Sequence, residues 1–156
     1  MRCRDNSIVV LHVLSPHSTS KHVSMIETLQ IPTHAQTELI DITSQVQQFV
    51  SQHHVKEGNC YLYVPHTTAA LTINENADPD VQRDMLMEIN KIVPFQDNYR
   101  HSEGNSAAHI KASLFGNSLC IFIENGGLVL GTWQGIYFCE FDGARRRKLL
   151  IKIVSD

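Results

Sequence analysis

From Met25 to the C-terminus, the sequence is a dense alternation of short apolar runs and turn-forming residues, which limits the folds open to it. Short runs closed by Gly, Pro, Asn or Asp are typical of strands and short helices in a single folded unit. No run approaches the roughly 18–20 apolar residues that a membrane-spanning helix needs. With 156 residues, the chain is long enough for one domain with its own hydrophobic core.

Three segments have the signals of helices. Apolar residues recur at helical spacing in a segment that contains Val46, Phe49, Val50 and His53. We expect Thr43 or Ser44 to be the N-cap of this first helix. The pair Asp78-Pro79 predicts the start of a second helix, with Asp78 as its N-cap. A short helix or turn is expected over residues 107–114.

The strand signals cluster late in the chain and set the predicted fold class. Strands are expected over residues 25–31, 60–64, 70–74, 118–124, 128–141 and 148–154, and the fifth of these is expected to break at Gly131 or Gly135. This order of elements favours an α+β fold with two to three helices packed on antiparallel sheets. The polar segment 15–24 is typical of a linker, so we expect residues 1–24 to be an extension and residues 25–156 a single domain.

Composition narrows the classes of function. Thirteen Lys and Arg against sixteen Asp and Glu give a net charge of −3, which argues against a nucleic-acid-binding surface. The four cysteines form no close pair, so we expect reduced thiols in a cytoplasmic protein without a membrane anchor. Nine histidines are the abnormal count. Because histidine is the commonest metal ligand and titrates near neutral pH, the histidines direct the search for a site.

The first candidate stretch is PHTTAALTINENADP, residues 65–79. His66 stands at the end of one predicted strand, and Asn76 and Asp78 follow the next. Loop tips on a rigid scaffold are common sites of binding and catalysis. The alternative is turn chemistry, because Asn and Asp cap turns and helices, and Asp78 already has that role. From the residue types alone, turn chemistry is the favoured explanation.

The second stretch is a polar loop and the helix that follows it. It contains His101, Glu103, His109 and Lys111. Two imidazoles and a carboxylate suit Zn²⁺ or another divalent ion, but a third ligand must come from elsewhere. His66 is the other histidine with comparable surroundings. The alternative is a pair of solvated histidines, since the spacing is not a standard zinc pattern.

The third stretch is LGTWQGI, residues 130–136, and a basic run follows it at residues 145–148. Gly131 and Gly135 flank Trp133 and Gln134, as expected where the backbone bends or is closely approached. Trp133 either stacks on a planar ring or belongs to the core. The basic run is either an anion-binding patch or the charged edge of a sheet.

The sequence has no P-loop, GxGxxG, GxSxG or HExxH motif, so kinase, dinucleotide-binding, hydrolase and zincin functions lack support. The three stretches, taken in order, resemble the YjbQ family, which is described as a secondary thiamine-phosphate synthase family. The resemblance covers residues 25–156. It rests on HTTAALTINENADP at 66–79, His101 and EGN at 103–105, HIKAS at 109–113 and GTWQGI at 131–136.

The resemblance implies a small β-sandwich with a few helices, assembled as a homotrimer with sites near subunit boundaries. It also implies a divalent metal ion, either Zn²⁺ or Mg²⁺, held by His66, His101 and His109. The implied reaction joins hydroxymethylpyrimidine pyrophosphate to thiazole phosphate and releases pyrophosphate. Ala107 and Ala144 depart from the family pattern of Asp and Pro. If the missing carboxylate is a ligand or a base, Glu103 or Asp142 would have to replace it.

These implications lead to a hypothesis for the roles of individual residues. Glu103 and Lys111 are predicted to be catalytic, with Glu103 as a carboxylate ligand or general base. The predicted substrate-binding residues are Asn76, Asp78, Trp133, Gln134, Arg145 and Arg147. Two alternatives stay open: a metal-dependent hydrolase or transferase for another small phosphorylated metabolite, and a trimer that binds a metal or ligand without catalysis.

Overall fold

The structure is a computed structural model that describes residues 26–156. Within this range the elements follow the order β1 (Ile26–Pro32), β2 (Glu38–Asp41), α1 (Thr43–Gln52), β3 (Gly58–Tyr63), β4 (Ala69–Glu75), α2 (Pro79–Ile92), α3 (Ser106–Phe115), β5 (Ser118–Glu124), β6 (Gly127–Leu128), β7 (Gln134–Glu140) and β8 (Arg146–Ser155). The predicted extension, residues 1–24, lies outside the described residues.

The strands form two antiparallel sheets. Sheet A has the order β1-β8-β3-β5-β6, and sheet B has the order β2-β7-β4. Every strand pair in both sheets is antiparallel. The predicted α+β class, with antiparallel sheets and up to three helices, is therefore confirmed.

Apolar side chains from both sheets and from α1 form the main core. Its fully buried members include Ile42, Val46, Leu62, Leu71, Phe138, Leu149 and Ile151. A second cluster, between sheet B and α3, contains Ala70, Ala108, Ala112, Tyr137, Cys139 and Phe141. Sheet B is thus covered on both faces, so residues 135–140 of β7 are all buried. A strand buried on both faces has an unbroken apolar sequence rather than an alternating one.

Two local predictions differ from the structure. Strand β2 was not predicted, because its four residues show too little alternation to be recognised without their partner strand β7. The predicted N-cap of α1 was wrong, since Ile42 occupies that position. The Thr43 hydroxyl instead donates to Asp41 Oδ1 at 2.5 Å and accepts the Ile136 amide at 2.8 Å.

The outer face of sheet A carries exposed apolar residues alongside polar ones such as Thr28, Gln30 and Lys152. Ile26, Tyr61, Tyr63 and Phe122 are all more than two-fifths exposed there, and we call these four residues the apolar face. Leu150 and Val154 of β8 add to it and line a groove of about 460 Å³ with Tyr61 and Tyr63. Among the described helices, none has both the length and the apolar character to cross a membrane.

Candidate functional site

The direction of β4 divides the predicted site residues into two groups. His66 precedes β4, whereas Asn76 follows it. In the register of sheet B, Ala69 lies opposite Glu140 and Glu75 lies opposite Gln134. Seven strand residues separate the two ends by roughly 20 Å. Within one chain, the structure therefore does not bring Asn76, Asp78, Trp133 and Gln134 together with the histidines and arginines.

A buried ion pair lies at the His66 end of sheet B. Arg147 donates from Nε to Glu140 Oε2 at 2.7 Å and from Nη2 to Glu140 Oε1. Arg147 Nη2 also donates to the Thr68 hydroxyl at 2.9 Å, and the Thr33 hydroxyl donates to Glu140 Oε2 at 2.9 Å. Burial alone would raise the pKa of Glu140, but hydrogen bonds from Arg147, Asp142 and Thr33 hold it below its ordinary value. The pair is therefore ionised at neutral pH.

A second ion pair lies next to the first and is partly open to solvent. Arg145 donates from Nη2 to Asp142 Oδ2 at 2.6 Å. The same carboxylate oxygen accepts from Asn105 Nδ2 at 3.1 Å, so it joins the loop before α3 to the loop after β7. The Thr33 hydroxyl accepts the Arg145 amide at 2.8 Å. Thr33 therefore contacts both the Glu140 carboxylate and the backbone of Arg145.

Two adjoining cavities share a wall at this end of the molecule. The charged cavity, of about 310 Å³, is lined by Glu103, Asn105, Asp142, Arg145 and Arg147 in addition to the shared wall. The neutral cavity, of about 570 Å³, is lined by Tyr63, Ala69, Ala112, Ser113 and Asn117 in addition to the shared wall. The shared wall consists of Pro65, His66, Thr67 and His109. Two of the three predicted histidines therefore contact both cavities.

His66 has one ring nitrogen already occupied. Its Nε2 accepts the backbone amide of Lys148 at 2.9 Å. Burial, and secondarily the positive charge of Arg147, lower the pKa of His66, so the imidazole is neutral near pH 7. A neutral imidazole that accepts through Nε2 carries its proton on Nδ1. The remaining ring nitrogen of His66 is thus a hydrogen-bond donor.

His101 lies beside His109 and lines neither of the two cavities. The two ring centroids are 5.6 Å apart in an edge-to-face arrangement, and His101 Nε2 lies 3.7 Å from Glu103 Oε2. Within residues 26–156, no group of three or more His, Cys, Asp or Glu side chains could hold a metal ion. The lone pair of His66 Nε2 is also engaged by Lys148. The donors of a single chain therefore do not fit the metal ion that the resemblance implies.

Lys111 is completely buried on α3. Its ammonium donates to Asn90 Oδ1 at 2.6 Å and lies 3.6 Å from the centre of the Phe95 ring. Burial lowers the pKa of Lys111 to about 8. Lys111 does not line either cavity, so its side chain is not placed with the other predicted catalytic residue, Glu103. Ala107, one turn earlier, is also completely buried.

At the opposite end of sheet B, the side chains have local partners. Asp78 caps α2 by accepting the Asp80 amide at 2.9 Å, as predicted. Gln134 Oε1 accepts the Gly131 amide at 2.8 Å, while Trp133 is 63% exposed. A Cβ atom on Gly135 would lie 2.7 Å from Asn76 Nδ2. The close approach expected at Gly135 is therefore made by the chain's own Asn76.

Sequence reasoning missed four residues of the charged end. They are Thr33, Thr68, Asn105 and Glu140. Thr68 belongs to the HTT motif, and Asn105 follows Glu103, so both positions carried a signal. Thr33 and Glu140 did not, because they lie 107 residues apart in sequence and meet only after the two sheets have packed.

Comparison with known proteins relates the chain to a protein family. Residues 27–156 match the family described as UPF0047 protein YjbQ-like. The UPF0047 protein YugU of Bacillus subtilis is 52% identical over 132 residues, which are 84% of this chain and 100% of the relative. A UPF0047 protein of Methanocaldococcus jannaschii is 49% identical over 86% of this chain and 97% of its own length.

Solved structures show the same relationship. The crystal structure of an uncharacterised YjbQ/UPF0047 protein from Clostridium acetobutylicum is 54% identical, with a TM-score of 0.80 over 81% of this chain and 98% of that chain. A protein of unknown function from Sulfolobus solfataricus is 32% identical, with a TM-score of 0.83 over 87% of this chain and 100% of that chain. The chain therefore belongs to the YjbQ-like UPF0047 family.

Proposed function

We propose that the chain is a cytoplasmic transferase of the thiamine-phosphate synthase type, acting on small phosphorylated metabolites. One observation carries this proposal: His66 and His109 form a wall shared by a charged cavity and a neutral cavity. Group transfer needs an anionic donor and an acceptor held next to each other. Adjoining cavities of opposite character suit a pyrophosphate group on one side and an uncharged ring on the other.

Arg147 supplies the main anion contact of the charged cavity. Glu140 and Thr68 occupy its Nε and Nη2 donors, whereas Nη1 has no partner among the described residues. Among the described residues, Asn105 Oδ1 is the one fully buried side-chain nitrogen or oxygen atom without a hydrogen-bond partner. Because Arg147 Nη1 is not among such atoms, it is not fully buried, although only 6% of the Arg147 side chain is exposed. A guanidinium fixed on one edge, with a donor left without a partner on the other, is preorganised to bind phosphate oxygens.

The proposed reaction is a displacement at carbon. The thiazole nitrogen donates its electron pair to the methylene carbon of the pyrimidine, the carbon–oxygen bond breaks, and pyrophosphate leaves with the bonding electrons. The transfer needs no proton, but it requires stabilisation of the charge that develops on the leaving group. Arg147, Arg145 and the Nδ1 proton of His66 would supply this stabilisation. No step depends on a metal ion held by a single chain.

We also propose that the protein acts as a homotrimer. Tyr63 lines the neutral cavity and also the groove of the apolar face, so the cavity and the groove adjoin at this residue. An apolar sheet face of this kind suits contact with another copy of the chain. A second copy seated there would lie beside the neutral cavity.

The test measures binding and turnover on purified protein. Pyrophosphate should bind to the wild type in a calorimetric titration, and Arg145→Ala should weaken this binding about tenfold because a charge-assisted contact is lost. Arg146→Ala is the matched control, since Arg146 is exposed and does not line the charged cavity. Hydroxymethylpyrimidine pyrophosphate and thiazole phosphate should together give thiamine phosphate and pyrophosphate.

The two readouts separate the parts of the proposal. Pyrophosphate binding without turnover would reject the synthase reaction and leave an anion-binding site. Equal pyrophosphate affinities in the wild type and in Arg145→Ala would reject the role of Arg145 in the anion site, and no binding in either would reject the anion site itself.

A further inference from the structure

The side chain of Lys111 connects three segments of the chain. From α3, its ammonium reaches Asn90 Oδ1 of α2 at 2.6 Å and lies over the ring of Phe95 at 3.6 Å. Asn90 Nδ2 lies 3.4 Å from the Thr37 hydroxyl in the loop before β2. Among the described residues, no Asp or Glu forms an ion pair with this ammonium. A buried cation without a carboxylate partner is costly, so the contacts it does make have to offset that cost.

Phe95 begins the segment that carries the second candidate stretch. This segment, residues 94–105, connects α2 to α3 and contains His101 and Glu103. Its far end is held where Asn105 Nδ2 donates to Asp142 Oδ2. Its near end is held by the Lys111 ammonium over the Phe95 ring. Between these two points, the side chains of His101 and Glu103 are 43% and 71% exposed.

We propose that Lys111 is a positioning residue, which holds segment 94–105 against α3 so that His101 packs edge-on against His109. Lys111 acts through Phe95 and Asn90 and does not touch the ligand. The proposal replaces the catalytic role that the motif alone predicts for this lysine. It rests on the proposed function only in taking His101 and Glu103 as residues of the site.

Two substitutions test the positioning role of Lys111 without a ligand. Lys111→Met keeps a chain of similar length and removes the charge and the donor, whereas Phe95→Leu keeps Lys111 and removes the aromatic ring. Each should raise the amide hydrogen-exchange rates of residues 95–105 about tenfold, because a buried cation–π contact is lost. Exchange in β7 and β8 should not change. Lys91→Met is the matched control, since Lys91 is an exposed lysine of α2 paired with Glu88.

The histidine rings give a second readout, which a loss of global stability would not move. In both variants the ring-proton NMR shifts of His101 and His109 should move towards those of free histidine as the edge-to-face contact opens. Phe95→Leu keeps the test decisive if Lys111→Met fails to fold. Unchanged exchange over 95–105 together with unchanged His109 shifts in Phe95→Leu would overturn the proposal. Neither readout uses a ligand, so both stand even if pyrophosphate fails to bind the wild type.

Discussion

Arg147 and Glu140 form a two-point ion pair in which both side chains are buried, one from β8 and the other from β7. The guanidinium uses Nε and Nη2 for this contact, and Thr68 takes a further hydrogen bond from Nη2. The orientation of Arg147 is therefore set by sheets A and B together. Arg147 lines the charged cavity in an orientation that this ion pair fixes.

Removing the charge of Glu140 should strongly destabilise the fold. Glu140→Gln leaves the guanidinium of Arg147 buried without its counter-ion, and breaking a buried pair in this way costs about 3–5 kcal/mol. The free energy of unfolding, measured by urea titration, should fall by that amount. Glu88→Gln is the control, because Glu88 belongs to an exposed pair with Lys91 whose loss costs less than about 1 kcal/mol. Equal effects in the two variants would contradict the structural role of the buried pair.

The pair of Arg147 and Glu140 should make the fold less stable in acid. The folded state holds the pKa of Glu140 below its ordinary value of 4.5. As the pH falls, the unfolded chain therefore takes up this proton before the folded chain does. The stability that Glu140 contributes is present above pH 4.5 and is lost as the pH falls through the pKa of the folded state. The wild type should lose stability more steeply than Glu140→Gln in urea titrations between about pH 6 and pH 3. Parallel curves for the two proteins would contradict this coupling.

Local signals in the sequence predicted the elements that depend on local chemistry. Asp78-Pro79 marked the start of α2, and β5 has the boundaries expected from its apolar alternation. Strand β2 was missed because its hydrogen-bond partner, β7, lies almost a hundred residues later. The sequence pattern of α3 also did not predict that Lys111 is buried, because apolar residues lie on several faces of that helix.

The candidate site was also predictable only in part, because local motifs identify residues but not which distant residues meet. The motifs identified His66, His109, Arg145 and Arg147, which the structure does place around one cavity. Their order along the chain did not show that Trp133 lies at the other end of β7. That separation follows from the antiparallel register of sheet B, which only the folded chain determines.

The apolar face should hold the proposed trimer together. Phe122 is 68% exposed on this face, and Phe122→Asp would place a charge in an interface that excludes water. Sedimentation should give three times the 17.6 kDa chain mass for the wild type and the mass of one chain for the variant. Gln48→Glu on the exposed surface of α1 is the control and should remain trimeric. A wild type that sediments as a single chain, or a Phe122→Asp variant that stays trimeric, would contradict the assignment of this face.

Asp78 has two assigned roles, and two substitutions distinguish them. Its carboxylate accepts the Asp80 amide, so Asp78→Ala should lower the free energy of unfolding by about 1 kcal/mol through loss of the helix cap. Asp78→Ser keeps an oxygen acceptor and should lose less than half of that stability, because serine is as good an N-cap as aspartate. Calorimetric affinity for hydroxymethylpyrimidine pyrophosphate should be unchanged in Asp78→Ser if the carboxylate only caps α2. A weaker affinity at preserved stability would instead support the substrate-binding role predicted from the sequence. Because Asp78 lies at the Asn76 end of sheet B, that result would also require a second copy of the chain to bring this end to the charged cavity.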